Sequence, residues 1–205
     1  KKILLHHAHH VEKMEFLKKD FQNFQIIAAN RDPRSAFISN MNAIKKQSNK
    51  EVTHSTYISI INRLFHGIGH LDKYKDHQIK INSLERLHEN PKLVINDFCN
   101  WLNIDFNEIL LRSTWGGKDW YGDSLSENIE LQFNENFRLQ NEIKWKRELS
   151  LLDKILISYL MRKEIFKYSY NKLYTNHLYS IYVFVLILLP NNYELSQLKN
   201  ILINF

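Results

Sequence analysis

The segment Phe24-Gln25-Ile26-Ile27-Ala28-Ala29-Asn30-Arg31-Asp32-Pro33-Arg34-Ser35-Ala36-Phe37-Ile38-Ser39 changes character in its middle. Residues 24–29 form an apolar run that reads as a buried strand. Asp32 is a good N-cap and Pro33 a good first helical residue. A strand is therefore expected to end at Arg31 and a helix to start at once. Such a junction aims backbone N–H groups and a positive dipole end at one spot. Arg31 and Arg34 sit in the same place, where cations are disfavoured unless an anion offsets them. The simplest inference is a phosphate-type anion bound here. Ser39 adds a hydroxyl from the same helix. The competing reading gives both arginines ordinary surface ion pairs.

Upstream, Lys2 to Leu5 looks like a strand leading into His6-His7-Ala8-His9-His10, and a helix follows over 11–21. Downstream, the helix after Arg31 is expected to run to about Lys45, with a polar loop over 45–51. Thr53 to Lys75 reads as a long helix with Tyr57, Ile60, Ile61 and Leu64 on its buried side. Gln78 to Ile81 is a short strand, ending at Leu84-Glu85-Arg86-Leu87. Asn90 and Pro91 open a helix with Val94, Phe98, Trp101 and Leu102 as its stripe. Residues 115–124 hold three of the five glycines and read as a loop. A long helix is expected from Ile143 to about Tyr168, with Leu149, Leu152, Leu156 and Tyr159 as its stripe. The tail, 171–205, reads as helical with a break at Pro190. This order is that of an α/β fold with a parallel sheet, in which ligands bind beyond the carboxyl ends of the strands. Arg31, the histidines and Glu85 lie at such ends.

The bulk numbers agree with one domain. The chain has 205 residues, 44% of them hydrophobic, enough for a real core. A charged fraction of 24% speaks against wholesale disorder. The net charge of +6 suits an anionic ligand, but the basic residues form no single stripe, so nucleic acid is not expected. Cys99 is the one cysteine, which forbids an internal disulfide and favours a reducing, cytoplasmic setting. No signal peptide is visible. The longest apolar run, 181–189, is nine residues and closes at Pro190. Spanning a bilayer takes roughly 20, so a core helix is expected, and membrane association through an interfacial patch is the less favoured reading. The chain starts with Lys1 on an apparent strand rather than with Met, so a preceding portion is expected to be missing.

Five segments, in order, carry a resemblance. Arg31-Asp32-Pro33-Arg34 with Ser39, after an apolar strand, resembles the 3′-phosphate-binding segment of sulfotransferases that use 3′-phosphoadenosine 5′-phosphosulfate (PAPS). Leu84-Glu85-Arg86-Leu87-His88-Glu89-Asn90-Pro91 resembles that family's Tyr-Glu-Asp-Leu-x3-Pro. Asp97 to Phe106 resembles the stretch that usually reads Phe-Leu-Gly-Leu-Pro. Gly117-Lys118-x-Trp120-x-Gly122-Asp123-Ser124 is similar to Gly-Lys-x-Trp-x-Gly-Asn-Ser. Trp145-Lys146-Arg147-Glu148-Leu149-Ser150 is similar to the segment opening the family's last helix. The resemblance implies a P-loop-NTPase-like central parallel sheet flanked by helices, with a helical C-terminal part. Residues 1–170 would be the α/β domain and 171–205 an apolar extension packed on it. The family's Gly/Ser/Thr-rich loop for the 5′-phosphosulfate has no match here. Arg86, Leu84 and Asn103 also depart from the pattern, standing for an acidic residue, Tyr and Gly.

On that resemblance Arg31 and Ser39 hold the 3′-phosphate of PAPS, Arg34 assists, and no metal is needed. The implied activity is transfer of a sulfuryl group to a hydroxyl of a carbohydrate, lipid or small-molecule acceptor, with this stretch of chain inactive by itself. Such transfer is mostly positioning and electrostatics and needs a base for the acceptor hydroxyl. Some family members use a histidine about twenty residues before the arginine; His9 and His10 are 22 and 21 residues before Arg31. His9 is the first candidate base, then His10 or His7. The histidines otherwise bind a transition metal, for which no Cys, Asp or Glu is spaced to complete a site, or are structural. Glu85 either orients the acceptor or anchors a neighbouring loop. Lys118 either reaches the cofactor's phosphates or is a solvated lysine. Trp115 and Trp120 can stack on adenine or a sugar face. The alternatives to a sulfotransferase are another P-loop-type enzyme, such as a small-molecule kinase, and a non-catalytic relic or interaction domain.

Overall fold

The computed structural model describes residues 16, 19–21, 24–48, 54–64, 79–112, 114–115, 118–119, 133 and 135–188. The chain forms two compact units, each made of two separated pieces. One is Lys1–Arg31 with Arg63–Lys144; the other is Asp32–Asn62 with Trp145–Phe205. The fold is mixed α/β, mostly helical, with a small parallel sheet.

The first unit is built on strands β1 (Ile26–Asn30) and β2 (Ile79–Ser83). They pair in parallel, from Ile26 opposite Ile79 to Asn30 opposite Ser83. Along β1, Ile26 and Asn30 are buried while Ile27 and Ala29 are exposed, the period-2 signature of a sheet with one covered face. Both strands end in register, so Arg31 and Leu84 leave the sheet at the same level. Helix α3 (Leu84–Glu89) starts at once, because Ser83 Oγ accepts the Arg86 N–H at 3.1 Å. The segment 84–87, expected as the end of a strand, is therefore the first turn of a helix. Helix α4 (Pro91–Leu102) opens on a proline, as expected, although the Asn90 side chain makes no cap bond. Val94 and Cys99 are its buried residues. It ends at Asn103, whose φ of 54° and ψ of 52° are left-handed. Asparagine tolerates that conformation and so can end the helix. A 3₁₀ turn (Glu108–Leu111) and the two-residue antiparallel strands β3 (Thr114–Trp115) and β4 (Lys118–Asp119) follow. Helix α5 (Phe137–Glu148) contributes its residues through Lys144 to this unit.

The second unit is helical. It contains α1 (Pro33–Ser48), most of α2 (His54–Leu64), then α6 (Leu151–Leu160), α7 (Arg162–Lys167) and α8 (Tyr179–Leu188). Helix α6 packs on α1, α7 and α8. Phe37, Ile60, Trp145, Ile157, Met161 and Ile165 are each no more than 1% exposed and make its core. Burying each of the aliphatic side chains among them contributes about 1.5–3 kcal/mol. Phe37 meets Tyr57 edge-on, with ring centroids 5.2 Å apart.

Two expectations fail here for local reasons. The loop expected from residue 45 starts later, because α1 continues to Ser48; Lys45 and Lys46 in its last turn suit the negative end of the helix dipole. The single helix expected over 143–168 is three helices. Ser150 caps α6, accepting the Asp153 N–H at 3.1 Å, and its ψ of 160° cannot continue α5. Met161 makes the second break. The shifted phase puts Leu152 outside, at 57% exposure, and Ile155 and Ile157 inside. The strand expected over 2–5, the histidines at 6–10, most of the helix over 11–21, residues 65–75, the glycines at 116, 117 and 122, and 189–205 lie outside the described residues. Among the described residues no helix is long and apolar enough to cross a membrane.

Candidate functional site

The carboxyl end of the β1–β2 pair gathers a polar and aromatic cluster within the first unit. Arg31 leaves β1 there, and α3 carries His88 away from the end of β2. Phe137 and Asn141 face them from α5, four residues apart and so on one side of that helix. Arg31 Nη2 donates to Asn141 Oδ1 at 2.7 Å, and the guanidinium carbon lies 5.8 Å from the Phe137 ring centroid. His88 stacks on Phe137, with centroids 3.8 Å apart and planes 3° from parallel. Phe133 meets the imidazole edge-on at 5.9 Å. Beside them Arg138 Nε donates to Glu89 Oε1 at 3.1 Å.

The electrostatics follow from this packing. Burial, and then the positive charge of Arg31, hold His88 below the usual histidine range. His88 is thus neutral at pH 7, and the full charge of the pair rests on Arg31. Next to it Asn30, 3% exposed, has no hydrogen-bond partner for either side-chain amide atom among the described residues. A buried amide left unpaired costs about 1–3 kcal/mol, and a ligand or an ordered water would relieve it. A held guanidinium beside a flat aromatic stack can take an oxyanion together with a planar ring.

The other candidates from the sequence are placed as follows. Arg34 is fully buried in the second unit. Its Nε and Nη2 donate to the two Asp32 carboxylate oxygens at 2.9 and 2.7 Å, and its backbone N–H donates to Asp32 Oδ1 at 3.0 Å. The guanidinium also lies 4.1 Å from the Trp145 ring centroid. The surface ion pair weighed for Arg34 is thus an internal one, and the charge expected to call for an outside anion is offset by Asp32 itself. Ser39 is half-buried on α1. Glu85 is 1% exposed in the first turn of α3, so its carboxyl is an interior group. Lys118 is exposed on β4. His7, His9, His10 and Trp120 lie outside the described residues, as does the side chain of Trp115. Among the described residues no three His, Cys, Asp or Glu side chains come together as a metal site.

Sequence reasoning missed His88, Phe137 and Asn141. His88 sat inside a segment already singled out, but only its stacking on a ring far along the chain gives it a role. The i, i+4 spacing of Phe137 and Asn141 was legible; that they face Arg31 was not.

No family model and no curated protein matches the chain. Among solved structures, the sulfotransferase domain from the curacin biosynthetic pathway is similar, with a TM-score of 0.50 and 16% sequence identity over 72% of this chain and 54% of that one. The likeness is one of fold: this chain is folded like part of a sulfotransferase domain. It spans about half the length of that domain.

Proposed function

We propose that the chain belongs to a PAPS-dependent sulfotransferase, and that the Arg31 cluster grips the 3′-phosphate of the nucleotide. The observation that carries this reading is the position of Arg31. It stands at the carboxyl end of a parallel strand, with Nη2 oriented by Asn141, in a chain folded like part of a sulfotransferase domain. The residues present fit that half of the donor. Arg31 offers the cation, and Phe137 with His88 a flat apolar wall. PAPS, when bound, supplies an activated sulfuryl group. On this reading the β1–β2 pair is part of a P-loop-like sheet. Ser39, Lys118, Trp120 and the base among His9, His10 and His7 enter on the sequence resemblance alone, and the acceptor is a hydroxyl compound. Arg34 is assigned to holding the start of α1, and Glu85 to anchoring α3.

Thermal unfolding with nucleotides tests the reading. Adenosine 3′,5′-bisphosphate, the desulfonated product, should protect the chain, and 5′-AMP, which lacks the 3′-phosphate, should not. At a hundredfold excess over Kd the stabilisation is about 2.7 kcal/mol, which for a chain of this size raises Tm by roughly 5–11 °C. Arg31→Ala should remove that protection. An unchanged Tm in millimolar bisphosphate overturns the assignment.

A further inference from the structure

The second unit holds a groove of about 630 Å³ that has no place in the reading above and does not depend on it. Its walls are the start of α7 and the loop before α8. Arg162, Lys163, Lys172 and His177 line it, with Phe166 between them. No Asp or Glu lines it, and among the described residues none of Arg162, Lys163 and Lys172 is in an ion pair. Three permanent cations share the lining with no carboxylate, so an anion in the groove would be attracted by all three.

Two of the cations are held in place. Arg162 Nη1 donates to the Tyr159 carbonyl at 2.9 Å, and its guanidinium lies 4.3 Å from the Tyr159 ring centroid. That leaves the other edge of its fork for a ligand. Lys172 Nζ stands 4.9 Å from the Phe166 ring centroid. The loop is pinned beneath it, because the buried Thr175 donates its hydroxyl to the Lys172 carbonyl at 2.7 Å. Phe166 is 50% exposed, so the groove has an apolar surface beside these cations.

We propose that this groove is a second anion-binding site, which takes a phosphate or sulfate ester attached to an apolar or aromatic group. Arg162, Lys163 and Lys172 bind the oxyanion, and the apolar part lies on Phe166. Both a soluble ester and the phosphate headgroup of a lipid have this chemistry. The lipid source is worth an arm of its own, since Ile181, Tyr182 and Phe184 on the adjoining α8 are 63–69% exposed.

The probe is phenyl phosphate, titrated into the full ¹⁵N-labelled chain and followed by amide shifts. The shifts should fall on residues 162–166 and 172–177, and phenol should not reproduce them. The exposed side chains allow Lys163→Gln and Lys172→Gln without loss of fold, checked by an unchanged Tm. Each should weaken binding about tenfold, one charge-assisted contact's worth, and Lys172→Arg should restore it. Flotation with phosphatidylglycerol vesicles, lost in the double Gln variant, would assign the site to a lipid headgroup. No flotation with phenyl phosphate still bound would assign it to a soluble ester. Absent shifts at millimolar phenyl phosphate, equal shifts with phenol, or affinity unchanged in the double Gln variant would overturn the proposal.

Discussion

Removing the Arg34 side chain should cost this protein more than removing any single surface cation. Arg34 is fully buried and Asp32 is 6% exposed, so the pair sits where water cannot take over a lost partner. Arg34→Ala deletes two side-chain bonds to Asp32 and the stack on Trp145, and takes the guanidinium's charge away from a buried carboxylate. Breaking one side of a buried pair costs about 3–5 kcal/mol. For a chain of this size that lowers Tm by roughly 6–20 °C. Asp32→Asn keeps an oxygen for the Arg34 N–H but strands the guanidinium, and should cost a similar amount. The double variant Asp32→Asn/Arg34→Ala removes both charges and should cost clearly less than the two single changes together, with a coupling of about 2–3 kcal/mol. Urea unfolding of the four proteins measures this cycle. Additive single costs, or an Arg34→Ala cost within about 0.5 kcal/mol of zero, would refute the reasoning, since changes away from buried partners stay in that range. A second readout separates scaffold from ligand contact. Protection by adenosine 3′,5′-bisphosphate should persist in the double variant; if it vanishes while the fold stays intact, Arg34 touches the nucleotide.

Three further outcomes are expected. Burial, then the hydrogen bond to Asp153 and that residue's charge, push the Tyr57 phenol far above its ordinary value of 10.0. Unfolded Tyr57 ionises near that pH and folded Tyr57 does not, so stability should fall as pH rises beyond it, by about 1.4 kcal/mol per unit. Tyr57→Phe should flatten that slope in urea unfolding at alkaline pH; an unchanged slope contradicts the assignment. His88 is held low, so the unfolded chain takes up its proton first as pH falls, and stability should drop below the ordinary histidine pKa of 6.5. Imidazole NMR should show His88 titrating below that value and moving up when an anion screens Arg31. Ser150→Ala should cost about 1 kcal/mol through the lost cap of α6, and Ser150→Asp should recover most of it, both read from denaturant midpoints.

Local signals in the sequence proved legible where one residue acts on its own backbone. Asp32 and Pro33 announced the start of α1, Pro91 that of α4, and the apolar run before Arg31 the strand β1. Ser150 is equally readable as a cap, but the apolar repeat across 143–168 runs through it, so periodicity alone merges three helices into one. The site was half legible. Arg31 stood out because a cation at a strand-to-helix junction calls for an explanation. Arg34 stood out for the same reason and found its explanation two residues away, since a carboxylate that caps a helix can also neutralise an arginine in its first turn. His88 carried no signal, because its character comes from a ring and a guanidinium brought to it by tertiary packing. Its neighbour Glu85 reads from the sequence as either orienting an acceptor or anchoring a loop, and its burial in the first turn of α3 is visible only in the fold.

The two-piece construction of each unit has a consequence for how the chain is made. Residues 32–62 leave the ribosome well before the segment from Trp145 that completes their unit. At roughly 5–20 residues per second, synthesis of the intervening 63–144 takes on the order of 4–16 s. During that time the apolar side chains of α1, Phe37 and Ile38 among them, lack most of the core they will join. The nascent chain should therefore spend those seconds as a client for chaperones that hold apolar helices. Synonymous codons that slow translation across 63–144 should lengthen that exposure and lower the soluble yield without altering a residue of the protein.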